Sequence, residues 1–276
     1  MWEDYELLDS GNFEKCERFG DVIVVRPEPI ALWQPAGISA WEKADVVFRR
    51  EGTEGDWEIR KQLPKQWKLH WEDLTFLLRT TSFKHTGVFP EQAENWTWIR
   101  EHVKPGMKVL NLFGYTGGAT IAAASAGAEE VVHVDGSKPA VTWARENAEA
   151  SGLGDKKIRW IEDDVQKFVA REIRRGSTYD AIFLDPPAFG RGPKGELWKF
   201  EEHLPAFLGE LKKILNQDGG MLLLNAYSLG FPTLAVEQMV RAELPFFSKV
   251  TSGELMLKET TKRGFEIPTG IAVRCL

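Results

Sequence analysis

The chain has 276 residues, of which 43% are hydrophobic and 28% charged, with a formal net charge of −6. That length holds one large domain, or a domain of roughly 200 residues with a smaller companion. The acidic balance excludes a globally basic nucleic-acid binder, so any basic surface has to be local, and no apolar run approaches the roughly 18 residues that a membrane span needs.

The opening "MWEDYELLDSG" is acidic and lacks an apolar core, so no signal peptide is expected. Up to about residue 79 the pattern is strand-like. "DVIVVRPEP", "ADVVFRR", the turn "EGTEGD", "WEIRK", the alternation Trp67, Leu69, Trp71 and "LTFLLRT" predict a small, mainly antiparallel β-rich domain over residues 1–79. The eleven tryptophans, many before residue 100, read as core of that thin unit. From residue 80 to 276 the rhythm becomes strand, helix, strand. "MKVLNLF" precedes an alanine-rich helix over 117–126, and "EVVHVD" precedes a helix with Ser137 as cap, Pro139 in its first turn and Gly152 at its end. "KIRWIED" leads to "DVQKFVAREIRRG", "YDAIFLD" to the amphipathic "LWKFEEHLPAFLGELKKILN", and "GGMLLLNAYS" to "FPTLAVEQMVRAEL". Five such units predict a doubly wound, mostly parallel α/β sheet with helices on both faces. "FSKVTSGELMLKE" and "EIPTGIAVRCL", with no helix between, predict a closing antiparallel hairpin.

Cys16 and Cys275 lie at opposite ends without CxxC or CxxH spacing, and the five histidines show no metal-ligand spacing. Both cysteines read as reduced structural thiols in a cytoplasmic protein, with no metal site.

In open α/β sheets, ligands bind at the carboxyl ends of the strands. The first strand runs into "VLNLFGYTGG", where Gly114, Gly117 and Gly118 permit a tight turn into a helix whose free N–H groups can receive an anion. Asp135 ends the second strand about 20 residues on, where an acid can accept both hydroxyls of a ribose; the alternative is a carboxylate at a helix N-terminus. Asp164, or Asp163, ends the third and suits an adenine amine, with helix capping as the alternative. The fourth strand ends in "FLDPPAFGRG", where two prolines restrict the backbone just after Asp185 and hold its carboxylate at the sheet rim. Phe189 beside it can stack on a flat base or simply pack its loop. "GYTGG" is not a dinucleotide fingerprint.

With these four motifs in order, the chain resembles the class I S-adenosylmethionine-dependent methyltransferases. It is most similar to the branch of bacterial ribosomal-RNA base methyltransferases with "LNxFxYTGG", "DDV" and "DPPxF". The resemblance implies a seven-stranded sheet and S-adenosyl-L-methionine as cofactor. Asn111, Gly114, Tyr115 and Gly117 would surround its methionyl part, Asp135 its ribose and Asp164 its adenine, with Asp185 beside the methyl. Upstream, "FKHTGVFPEQAENW" is similar to a K-T-G-x-F-x-x-Q segment, which implies that Phe89 packs against the cofactor and Gln92 lies near its methionine end.

The C5-methylating relatives carry a nucleophilic cysteine just beyond the fifth strand. This chain has Asn225, Ala226, Tyr227 and Ser228 there. Direct in-line transfer to a base nitrogen is therefore expected, with Asp185, Pro186, Phe189 and Asn225 on the acceptor side and ribosomal RNA as partner. Arg191, Lys194 and Lys199, and the cluster "RKQLPKQWK", are candidate phosphate contacts or solvated faces. The alternatives are a methyltransferase for a small molecule or a protein side chain, and a non-catalytic adenosylmethionine-binding module.

Overall fold

The computed structural model describes residues 2–51, 54–192, 195–227 and 230–276. By contacts the chain divides into two units, Met1–Ala93 with Met256–Pro268, and Glu94–Leu255 with Thr269–Leu276. Residues 80–93 and 256–268 thus pack with the first unit.

In that unit β1 (Tyr5–Gly11), β2 (Glu14–Phe19), β3 (Val22–Pro27), β4 (Val46–Glu51) and β5 (Glu54–Ile59) form one sheet in chain order. Its pairs are antiparallel except β3 with β4, whose parallel connection holds the short helix α1 (Ser39–Glu42). β6 (Trp67–Trp71) and β7 (Leu74–Leu78) make a separate hairpin. The apolar pattern does not show β1 and β2, because their inward positions include charges that pair across strands. Arg26 donates from Nε and Nη2 to the two Glu17 oxygens at 2.7 and 2.9 Å, and the Tyr5 hydroxyl donates to the same carboxylate at 2.9 Å. Lys15 stands 3.6 Å from Glu17 and 3.2 Å from Glu28. Burial would raise the Glu17 carboxyl, but Arg26 and Lys15 outweigh it and hold it below its ordinary value. The segment 256–268 joins this unit through Thr260 N–H on Leu7 O at 2.9 Å and through Arg263, which donates to Asp9 and Glu259 at 3.1 and 2.7 Å.

The second unit begins with most of α2 (Ala93–His102) and alternates β8 (Lys108–Leu112), α3 (Gly118–Ser125), β9 (Glu130–Asp135), α4 (Lys138–Ala150), β10 (Ile158–Glu162), α5 (Val165–Arg175) and β11 (Ala181–Leu184). A small hairpin of β12 (Phe189–Arg191) and β13 (Leu197–Lys199) then precedes α6 (Phe200–Leu211), β14 (Met221–Ala226), α7 (Thr233–Glu243), β15 (Val250–Lys258) and β16 (Glu266–Cys275). The sheet order β10-β9-β8-β11-β14-β16-β15 is parallel from β10 to β14 and turns antiparallel at β16. The expected α/β architecture is present. One difference is local: the amphipathic run that starts at Leu197 is not helical throughout, and its first three residues pair with Phe189–Arg191 before α6 begins. Ser137 caps α4 as expected, accepting from Ala140 N–H.

Continuous apolar strands are buried on both faces. Leu110, Ile182 and Leu222 of the sheet share one core cluster with Phe168, Phe207 and Leu208 of the helices. Parallel register then sets the site. Leu112 lies level with Val134 and Leu184, and Leu184 with Leu224. The next residues along those strands are Phe113, Asp135, Asp185 and Asn225, so one row carries two carboxylates and an amide. The strand order reverses between β8 and β11, and a crevice at that switch point is where such sheets bind ligands.

Arg26→Met keeps the length and removes the charge, which leaves Glu17 buried without its main partner. Urea denaturation should show a loss of about 3–5 kcal/mol, far more than for an exposed ion pair such as Lys213→Met with Glu210.

Candidate functional site

The first strand end is built around a turn that is strained outside its glycines. Phe113 and Tyr115 both take positive φ, +56° and +47°, on either side of Gly114. For side-chain-bearing residues such conformations persist only where the surroundings hold them. Here the hold is visible. Tyr115 N–H donates to Asp135 Oδ2 at 2.9 Å, and Ser137 N–H donates to the other oxygen at 2.8 Å. One carboxylate at the tip of β9 therefore fixes both the glycine turn and the entry to α4. Burial raises its pKa, opposed by those two N–H groups.

The glycines are needed for packing as well as for the turn. A Cβ on Gly114 would lie 2.4 Å from His133 Cε1, one on Gly117 2.9 Å from Ala144 Cβ, and one on Gly118 2.7 Å from Trp96. Gly117 is also left-handed, at φ +86°, and caps α3 without a side chain, so the helix N-terminus is open to an anion. Asn111, expected near the ligand, is buried and donates from Nδ2 to Thr120 Oγ1 at 2.8 Å, while Thr120 meets His133 Nδ1 at 2.9 Å. Burial lowers His133 to about 3, so a neutral imidazole supports the turn from below. Sequence reading passed over His133 and Thr120; the signal was one polar residue inside the apolar strand "EVVHVD".

At the third strand end Asp164 is the N-cap of α5, its Oδ1 accepting from Lys167 N–H at 2.9 Å. Its Oδ2 stands 2.8 Å from where a Cβ on Gly192 would sit. Asp163 is held by Arg171 and accepts from Asp164 N–H at 2.9 Å.

The fourth and fifth strand ends are joined. Asn225 Nδ2 donates to Asp185 Oδ1 at 2.5 Å, a link across 40 residues of sequence. Burial pushes Asp185 up to about 6, with the Asn225 bond acting the other way. Asn225 is 4% exposed, and its Oδ1 has no hydrogen-bond partner among the described residues. Pro186 is buried, and Pro187 O accepts from Trp198 Nε1 at 2.8 Å, which anchors the β12–β13 hairpin. Phe189 on that hairpin is 57% exposed, with the Arg191 guanidinium 6.0 Å from its ring centroid. Lys199 is engaged by Glu202 at 2.6 Å. Lys194 and Ser228 lie outside the described residues. Phe89 and Gln92 belong to the first unit, Phe89 half-buried and tilted against His85 at 5.2 Å, Gln92 in the turn Pro90–Gln92.

Both cysteines are free and buried, and burial pushes each thiol up to about 12. Cys275 pairs with Leu222, whereas Asn225 pairs with Ala272, so the thiol sits three residues, roughly 10 Å, back from the strand end. Among the described residues no group of His, Cys, Asp or Glu is arranged to hold a metal ion, and no helix is long and apolar enough to cross a membrane.

A family model described as S-adenosylmethionine-dependent methyltransferase matches residues 42–248. The chain belongs to the S-adenosylmethionine-dependent methyltransferases. A methyltransferase of Agrobacterium tumefaciens, solved as a crystal structure, is 43% identical with a TM-score of 0.93, over 99% of this chain and 90% of that one. Among curated relatives, ribosomal RNA large subunit methyltransferase K/L of Magnetococcus marinus is 33% identical over 75% of this chain and 26% of its own length. Ribosomal RNA large subunit methyltransferase I of Aeromonas salmonicida is 35% identical over 55% and 39%. The chain spans between about a fifth and two fifths of the curated relatives it matches. For this methyltransferase the family's cofactor is S-adenosylmethionine, and the donor set fits it: an uncapped helix N-terminus suits an amino-acid carboxylate, and a carboxylate at the second strand end suits vicinal hydroxyls.

The folded pKa of Asp185, about 6, lies above its unfolded value of 3.8, so the native state binds the extra proton between them. Wild type should therefore lose stability relative to Asp185→Asn as pH rises from about 4 to about 7, and the difference should be constant below that window. Thermal melts across the range read this directly; a difference that does not change with pH would contradict it.

Proposed function

We propose that this methyltransferase transfers the methyl group of S-adenosylmethionine in line to a nitrogen of an RNA base, in the cytoplasm, without a cysteine nucleophile. The observation that carries the reading is the Asp185–Asn225 pair, a carboxylate and an amide at adjacent strand ends beside an exposed aromatic ring. The names of the curated relatives support RNA as acceptor, with ribosomal RNA the substrate class proposed.

The cofactor supplies an electrophilic methyl on a sulfonium, whose thioether leaves neutral and needs no acid. The protein's share is then positioning and fixed dipoles. Gly114, Tyr115 and Gly117 would meet the methionyl end at the open α3 terminus, with Asn111 holding α3 to β8 from beneath. Asp135 has lone pairs left after its two backbone bonds and would take the ribose hydroxyls. Asp164, with Oδ1 used for capping, would offer Oδ2 to the adenine amine. On the acceptor side Asp185 would accept from the base's N–H and draw density toward the attacking nitrogen, its backbone restricted by Pro186 and Pro187. Asn225 keeps that carboxylate aimed, and Phe189 would stack on the base. A half-buried carboxylate whose pKa is raised to about 6 is also placed to take the proton that the methylated nitrogen sheds.

Calorimetry should show binding of S-adenosylmethionine and not NAD. Asp135→Ala should weaken cofactor binding tenfold to a hundredfold, on the order of the 1.5–3 kcal/mol of one charge-assisted hydrogen bond. Asp185→Asn should instead lower kcat strongly with cofactor affinity changed less than about tenfold. If Asp185→Asn abolishes cofactor binding and spares turnover, the assignment of the fourth strand end is wrong. Mass spectrometry of nucleosides from a deletion strain should show one methylated base missing from ribosomal RNA, and an unchanged profile would count against RNA as acceptor.

The double variant Cys16→Ser, Cys275→Ser should keep its activity if folded, and RNA containing 5-fluorocytosine should form no covalent adduct. An adduct that vanishes with either cysteine would overturn direct transfer.

A further inference from the structure

Two exposed phenylalanines follow the two strand ends of the acceptor side. Phe189 follows β11 and is 57% exposed; Phe231 follows β14 and is 42% exposed. They belong to one scaffold. The buried ring of Phe200 stacks on Phe231 at 6.3 Å with an interplanar angle of 24°, and Phe200 N–H donates to Ala188 O at 3.0 Å, immediately before Phe189. Leu234, on the first turn of α7, is 60% exposed beside Phe231 in sequence, and Leu197 on the facing strand of the hairpin is 41% exposed. Arg191 is exposed and makes no ion pair or side-chain hydrogen bond among the described residues, and its guanidinium lies 6.0 Å from the Phe189 ring centroid.

Two large rings exposed to water carry a hydration cost that a stacked partner would relieve. Phe231 is backed by a buried ring, and Phe189 lies on a hairpin tied down by Trp198. Exposed π-faces with an exposed cation beside one of them match an unpaired nucleic-acid strand: bases stack on the rings and a phosphate meets the guanidinium. A base inside a duplex cannot bring its edge to a carboxylate at a sheet rim, so the target has to leave its stack first. A second copy of the chain would bury the apolar residues but would give Arg191 no acidic partner on this same patch, because Glu196 and Glu202 are already engaged by Lys167 and Lys199.

We propose that Phe231 and Leu234, together with Phe189 and Arg191, form a stacking shelf for a single-stranded or looped RNA segment, Phe189 receiving the target base and Phe231 a flanking one. The shelf selects unpaired RNA over duplex. This rests on RNA being the acceptor.

The test is fluorescence anisotropy with a fluorescein-labelled single-stranded RNA of about a dozen nucleotides, and the same strand annealed to its complement. The full-length protein should bind the single strand more tightly than the duplex. Phe231→Ala should weaken single-strand binding roughly fivefold to a hundredfold, while Phe231→Trp should retain it. Calorimetric affinity for S-adenosylmethionine should be the same in all three proteins, which separates a lost shelf from a lost fold. Equal affinity for strand and duplex would overturn the proposal, as would unchanged binding in Phe231→Ala alongside a loss in Phe189→Ala, and both leave the RNA reading intact. No binding of either RNA by a protein that binds the cofactor would defeat the RNA reading and the shelf together. Self-association on sedimentation that Phe231→Ala abolishes would assign the patch to a second copy of the chain.

Discussion

Parallel register is the constraint on which the second unit depends. Val134, Leu112, Leu184 and Leu224 of β9, β8, β11 and β14 lie level with one another, so the residues that follow them emerge in a single row. Two of them are carboxylates and one is an amide, and burial raises the pKa of both acids. A slip of one residue in any of these parallel pairs would send Asp135 or Asp185 to the opposite face of the sheet. The doubly buried strands resist that slip because each face is filled by helices. The precision of the chemistry is thus inherited from apolar packing well below it.

Much of this was legible in the sequence because it follows from period and punctuation. Apolar strands alternating with helical runs, the Ser137 cap and the order of strand-end motifs each depend on a few neighbouring residues. What escaped depends on distant partners. β1 and β2 were hidden because Asp9 and Ser10 in β1 and Lys15 and Glu17 in β2 are buried and are tolerable only with partners such as Arg263, Glu259 and Arg26. The β12–β13 hairpin was hidden because Leu197–Lys199 also fits the amphipathic pattern of the helix that follows. The Asn225–Asp185 bond has no local signature at all.

The glycine turn shows how a correct sequence signal can have a second cause. In the sequence its glycines signal a tight turn into a helix whose free N–H groups can receive an anion. In the structure they also relieve contacts with His133, Ala144 and Trp96, so the same residues serve the packing of α3, α4 and β9. Asp164 is similar, since it caps α5 with one oxygen and leaves the other. Single residues here satisfy the fold first, and the arrangement proposed for the ligand uses the donors and acceptors that remain.

The segment 256–268 bears on how the protein is made. Asp9 accepts from Ala36 N–H, Gly37 N–H, Trp41 Nε1 and Arg263, and Ser10 donates to Glu259. Leu7 O likewise waits for Thr260 N–H. During synthesis, residues 1–93 leave the ribosome long before Glu259, Thr260 and Arg263 exist, with all of Glu94–Leu255 translated in between. The outer edge of β1 therefore stays open until the second unit's polypeptide is nearly complete. Its closure is a late event in biogenesis, and any ribosome stalled before residue 256 holds a nascent chain whose first strand still lacks its clasp.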